Sequence, residues 1–308
     1  VVTIIGGAHV TAVPGETMKR FPAFDIGAIG EGEMTTLELL DALSPHAGAP
    51  DCHDSALAHI HGLIWRDRDG YLVRNAPRPL IPDLDALPLP AWDLLPGFPE
   101  AYSHSILETR RLPAASIITS RGCPFHCTFC DRSVFNSTIR QHSAEYTLEM
   151  VRFLTRNYGI RDLMVLDDNF LIDRRKVMAV SEGMQREAMD LTWYCMGHAR
   201  YMTRDRLQHI RKAGCWIVEM GIESGSDRVL RAIRKGTTRQ EIAGAVETAR
   251  RVGLEVKGNF IFGFPEDDRD SIEETIRFAR QLPLTYFQQN FLTVWPGFEI
   301  AHRLEEAG

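Results

Sequence analysis

An α/β chain is predicted, dominated by six successive β/α units that form either an incomplete parallel barrel or an open, doubly wound sheet. Three observations predict it. Apolar runs of strand length alternate with segments of helical period, the alternation covers six units over about 180 residues, and no low-complexity tract or sequence repeat interrupts it.

The first residues open on an apolar run, 1–5, that ends at Gly6-Gly7. A second run, FDIGAIG, leads into EGEMTTLELLDAL, whose Leu37, Leu39, Leu40 and Leu43 fit a helix. Residues 1–45 therefore read as the tail of an open, parallel, Rossmann-like α/β domain. Residue 1 is Val and the strand begins at once, so the chain is read as a fragment that starts mid-domain. Over residues 46–113 the character changes. GLIWRDRDGYLVRN predicts a hairpin turning at Asp69-Gly70, and PDLDALPLPAWDLLPGFP is proline-punctuated. This stretch is expected to be a connector, not a core.

The regular alternation occupies residues 114–308. Its strands are AASIITS, IRDLMVLDDN, LTWYCMGH, CWIVEMGIES, LEVKGNFIFGF and YFQQNFLTVW, separated by amphipathic stretches such as AEYTLEMVRFLTRNYG and TRQEIAGAVETARRVG. In either architecture, active residues belong at the carboxyl ends of the strands.

Composition bounds the function. A chain of 308 residues with 44% apolar and 25% charged residues is of globular type. A net charge of -6 and a pI near 6.0 argue against a nucleic-acid partner. No run of 18 apolar residues suggests a membrane span and no signal-peptide pattern is present, so the cytoplasm is expected. Six cysteines are too sparse for a secreted disulfide scaffold, and a tight cluster in a reducing compartment reads as metal-binding or catalytic.

That cluster is RGCPFHCTFCDR, with Cys123, Cys127 and Cys130 spaced C-x3-C-x2-C after the first strand of the six. A structural zinc site is normally closed by four ligands, often from two C-x2-C pairs. Cys52, Cys195 and Cys215 are isolated, which leaves His126 or Asp131 as a fourth zinc ligand. The other reading is an iron-sulfur cubane, because three thiolates leave one iron open to an outside ligand. Cys215, at the amino end of its strand, is expected to pack in the interior, and Cys195 lies within a strand. Cys52, His53, His59 and His61 lack a recognisable ligand spacing.

C-x3-C-x2-C after the first strand of a six-unit β/α domain, with Phe129 before the last cysteine, resembles the radical S-adenosylmethionine (SAM) superfamily over about residues 114–300. The resemblance implies an incomplete (β/α)6 barrel and a [4Fe-4S] cluster on the three cysteines. It also implies reductive cleavage of SAM to a 5'-deoxyadenosyl radical that abstracts hydrogen from an unactivated carbon. It places cofactor contacts at strand ends: Asp167 and Asp168 in LDDN, Arg200 past the third strand, Glu223 and Ser224 in GIES, and Gly263 in NFIFGFPE. Asp173 is expected to cap the next helix. IIGGAHVTAVPGE and GEGE are similar to the second half of a cobalamin-binding domain, with Gly6, Gly7, Gly30 and Glu31 as the matching positions. The D-x-H-x-x-G motif of some relatives is absent, and His9 does not match it.

The subgroup resembled includes cobalamin-dependent methyltransferases and anaerobic magnesium-protoporphyrin ester cyclases, so methyl transfer and oxidative cyclisation both stand. The implied partners are a small-molecule or cofactor-precursor substrate and an electron donor such as flavodoxin or ferredoxin. The alternatives are a radical SAM enzyme without corrinoid and a zinc-stabilised binding module.

Overall fold

The computed structural model describes residues 2–44, 53–102 and 108–307; Val1 and Cys52 lie outside them. The chain forms two compact units. The first gathers Val1–Pro82, Thr128–Ser137 and Thr293–Gly308, and the second Asp83–Cys127 and Thr138–Leu292.

In the first unit β1 (Ile4–Ile5) runs parallel to β2 (Ile26–Ala28), and α1 (Ala8–Ala12) and α2 (Pro14–Arg20) make the crossover that a parallel pair needs. After α3 (Glu33–Leu43) and α4 (His53–Leu57) come β3 (Leu63–Arg66) and β4 (Leu72–Arg74), an antiparallel hairpin. The hairpin is not the connector expected: β3 pairs antiparallel with β2 and completes a four-stranded sheet. The reason is that the apolar run LIW finds cover on both faces. Leu63 and Trp65 join Ile26, Leu39, Leu57 and Ile60 in one buried cluster, while Ile64 meets Val10 and Met18 around Gly27 on the other side.

The second unit holds β5 (Ala114–Ile117), β6 (Ser120–Arg121), β7 (Arg140–Gln141), α5 (Ala144–Tyr158), β8 (Asp162–Val165), α6 (Arg174–Arg186) and β9 (Thr192–Met196). It continues through α7 (Arg204–Lys212), β10 (Cys215–Glu223), α8 (Asp227–Ala232), α9 (Arg239–Arg251), β11 (Glu255–Phe262), α10 (Arg269–Gln281) and β12 (Tyr286–Phe291). Six strands form one parallel sheet in the order β12-β11-β10-β9-β8-β5. Each strand neighbours its predecessor. A doubly wound sheet would reverse direction at a switch point, so the sheet is a partial barrel, with β5 and β12 as its edges among the described residues. A last helix, α11 (Glu299–Ala307), belongs to the first unit.

Strand periodicity sorts the barrel's side chains into two faces. Leu163, Val165, Trp193, Cys195, Val218 and Val256 are at most 2% exposed and take the helix-covered face, where Trp193 meets Phe170 edge-on at 5.5 Å. Cys195 and Cys215 are both fully buried. The other parity lines the lumen, floored by the cluster Met164, Tyr194, Trp216 and Ile217, with Met196 and Tyr286 against it.

Helix ends follow local chemistry. Ser143 caps α5, which stops at the left-handed Gly159, and Thr238 with Glu241 forms a capping box on α9. Asp173 caps α6, accepting from the backbone N–H groups of Arg175 and Lys176, as its position before the helix predicts. No described helix is long and apolar enough to cross a membrane. Asp173→Ala is expected to destabilise the protein by about 1 kcal/mol, read as a lower urea midpoint at unchanged slope.

Candidate active site

The cysteine loop leaves the barrel at the carboxyl end of β5. β6 and β7 pair antiparallel, Ser120 with Gln141 and Arg121 with Arg140, and so close the loop at its root. Beneath the root lies Asp167, 1% exposed, whose carboxylate accepts from Thr119 Oγ1 at 2.6 Å and from the Ser120 N–H at 3.0 Å. Lys176, from the first turn of α6, donates to the Thr119 carbonyl at 2.6 Å and to its Oγ1 at 2.8 Å. Burial lowers the Lys176 pKa to about 8, against the pull of Asp167 and Asp173. Asp167 thus spends its hydrogen-bonding capacity on fixing the loop. Its neighbour Asp168 is solvent-facing, and partial burial together with the Asp167 charge raises its pKa. Asn169 is buried and accepts from the His198 N–H at 3.3 Å, while its Nδ2 has no partner among the described residues.

Past the root, Gly122 turns the chain at φ 88°, a conformation that costs glycine least. Cys123 is half-buried, Cys127 buried and Cys130 exposed, and all are thiols, as are Cys195 and Cys215. Cys123 and Cys127 belong to the barrel unit; Phe129 and Cys130 fall in the segment Thr128–Ser137. Asp131 accepts from the Ser133 N–H at 2.8 Å and from its hydroxyl at 2.6 Å. Among the described residues, no set of three or more His, Cys, Asp or Glu side chains is arranged to hold a single metal ion.

A second group grips the loop from the far strands. The Phe125 ring stacks on His198, centroids 3.8 Å apart and 15° from parallel. Arg200 stands over Phe125 at 5.7 Å and donates to the Gly236 carbonyl at 2.9 Å. His198 Nε2 lies 3.1 Å from the Lys235 carbonyl, and its Nδ1 lies 3.4 Å from the Arg200 N–H. A carbonyl only accepts and an N–H only donates, so the ring is neutral with its proton on Nε2. Burial, reinforced by the Lys235 charge, lowers its pKa to about 4.

Lys235 and Glu223 form a buried ion pair at 2.8 Å. Burial raises the Cys127 thiol pKa and the Lys235 ammonium opposes that rise. Burial works against the Lys235 charge as well, but Glu223 and the neighbouring cysteines hold its pKa above the ordinary lysine value. The pair fits because residue 221 is glycine: a Cβ there would stand 2.2 Å from Glu223 Oε1 and 2.8 Å from Lys235 Nζ. Glu223 itself ends β10 at φ 66°, in the left-handed region that non-glycine residues rarely adopt. Ser224 is buried between this strand end and α10, its hydroxyl 3.2 Å from Thr275 Oγ1 and accepting from the Ser226 N–H at 3.1 Å. Gly263 donates its N–H to Asp267 at 3.0 Å.

In the first unit Gly7 and Gly30 have positive φ and open space where a side chain would stand, after the carboxyl ends of β1 and β2. Gly6 approaches Ala28. Glu31 is buried and its carboxylate accepts from the Ile81 N–H at 2.7 Å. Lys176, His198 and Lys235 are site residues that sequence reasoning missed. Each reads locally as an ordinary helix or turn residue, and only Lys235, just before Gly236, stands in a turn with a recognisable signature.

Residues 117–279 match the family model of the radical SAM superfamily. The chain belongs to that superfamily. It is 37% identical over 298 residues to the uncharacterized methyltransferase PH0819 of Pyrococcus horikoshii, covering 96% of this chain and 61% of that protein. It is 26% identical over 306 residues to the anaerobic magnesium-protoporphyrin IX monomethyl ester cyclase of Rubrivivax gelatinosus, covering 99% of this chain and 53% of the cyclase. The chain thus spans less than two thirds of either relative. Among solved structures, the radical SAM methyltransferase TsrM from Kitasatospora setae shares the fold, with a TM-score of 0.77 at 18% identity over 99% of this chain and 58% of its own.

The neutral His198 makes this radical SAM barrel acid-sensitive. Between pH 6.5 and about 4 the unfolded chain binds a proton that the native ring refuses, so stability is full above that window and falls as pH drops through it. At pH 4.5, about 2 to 3 kcal/mol should be lost from this source. Urea unfolding of wild type and His198→Gln at pH 7 and pH 4.5 checks it, with the wild type losing more by that amount.

Proposed function

We propose that the chain carries the catalytic barrel of a cobalamin-dependent radical SAM methyltransferase. The observation that carries this reading is the C-x3-C-x2-C thiol loop at the carboxyl end of the first strand of a partial barrel. The donor set suits a [4Fe-4S] cluster: Cys123, Cys127 and Cys130 would hold it, and the Lys235 ammonium opposes the rise that burial imposes on the Cys127 thiol. When bound, the cluster supplies the electron that splits SAM to methionine and a 5'-deoxyadenosyl radical, and methylcobalamin supplies the methyl group.

The chain's own residues do the rest. Asp167, Thr119 and Lys176 fix the loop root, and His198 and Arg200 hold Phe125. Two buried polar atoms, Asn169 Nδ2 after β8 and Thr237 Oγ1 in the turn between α8 and α9, have no partner among the described residues and are assigned to bind SAM, together with Glu223 and Asp168. Gly6, Gly7 and Gly30 let the backbone approach a corrinoid edge. Methyl transfer is preferred to cyclisation because the relative at 37% identity is named a methyltransferase. A reduced flavodoxin or ferredoxin in a reducing cytoplasm supplies the electron.

Anaerobic reconstitution followed by dithionite and SAM is expected to give a brown protein that forms 5'-deoxyadenosine. Cys127→Ala should lose both the iron-sulfur absorbance and the product. A fully loaded protein that forms none would refute the reading.

A further inference from the structure

The lumen of the partial barrel is two-sided. On the β5–β8 side Ile118 and Leu166, one step past their strands, are 56% and 39% exposed, and the ladder reaches them through the bond from the Leu166 N–H to the Ile117 carbonyl. On the β10–β11 side the wall is polar. Lys257 donates to Glu108 at 2.6 Å and lies 3.3 Å from Glu219, and Asn259 Nδ2 donates to Glu219 at 2.6 Å.

The amide orientation follows from chemistry. A carboxylate only accepts, so the Asn259 NH2 must face Glu219 and its Oδ1 must face away. That oxygen is buried and has no partner among the described residues. Two carboxylates share one ammonium, so this wall carries a net negative charge and offers an acceptor. Lys257 stays charged, since the bonds to Glu108 and Glu219 outweigh its burial.

We infer that the reacting molecule has an apolar body and a hydrogen-bond-donating, neutral or cationic head, and that the lumen rejects carboxylate- and phosphate-headed molecules. The apolar body covers Ile118 and Leu166, which otherwise face water. The head supplies the donor that Asn259 Oδ1 lacks and meets the field of Glu219, whereas an anion would meet both with the wrong sign. The inference rests on the proposed function in taking the lumen as the place where the substrate lies.

Two probes with one apolar body and opposite heads test it, 4-phenylbutylamine and 4-phenylbutyrate, titrated calorimetrically into the reconstituted chain. The amine is expected to bind at least about tenfold more tightly. Glu219→Gln should narrow the gap to about twofold, and Asn259→Ala should weaken the amine about fivefold while leaving the Glu219–Lys257 pair in place. Thermal unfolding checks that each variant folds, and Asn259→Ala carries the test if Glu219→Gln does not. Equal or tighter binding of the carboxylate, no binding of either probe at millimolar concentration, or an amine affinity untouched by both variants overturns the inference. 5'-Deoxyadenosine formation on the same preparation separates the two proposals. Product without amine preference refutes the lumen alone, and amine preference without product refutes the radical chemistry alone.

Discussion

The Asp167 carboxylate, buried at the end of β8, collects hydrogen bonds from Thr119 and Ser120 while Lys176 closes on Thr119 from the opposite side. An ionised carboxylate out of water is tolerable only when its lone pairs are used. Here the need for donors forces the chain after β5 onto one path. A loop carrying three thiols would otherwise be a long floppy excursion. The tie at its root and the separate two-stranded β6–β7 ladder close that loop where it leaves β5.

A second constraint is electrostatic. Lys235 and Glu223 are both charged and both buried, an arrangement whose desolvation cost can exceed its Coulomb gain. Stability therefore gives a poor account of the pair; function gives a better one. The ammonium counters the effect of burial on the Cys127 thiol, and the same turn of chain offers the carbonyls of Lys235 and Gly236 to His198 and Arg200. One short segment after α8 thereby carries the charge and holds the stacked rings that keep Phe125 in place.

Much of this was legible in the sequence. Six β/α units follow from the alternation itself, since segments of strand length alternate with stretches of helical period. Alternation cannot decide strand order, which depends on the hand and direction of each crossover. The hairpin at residues 63–74 read as connector because polar and proline-rich neighbours masked a run that finds cover on both faces. The cysteines announced themselves by spacing. Their supports did not: Asp167 meets Ser120 across 47 positions, and Lys235 meets Glu223 across 12, pairings that no local pattern encodes. Glu219 and Lys257 did leave a trace, each being a charged residue in the middle of a strand run.

β5 and β12 share no ladder. In a closed barrel, strand number and stagger dictate the radius, so the cavity has a set size. A seam left unstitched removes that dictate. The circumference becomes an adjustable quantity, governed by side chains and neighbouring segments rather than by backbone bonding, and one scaffold can house guests of very different girth without breaking an inter-strand bond.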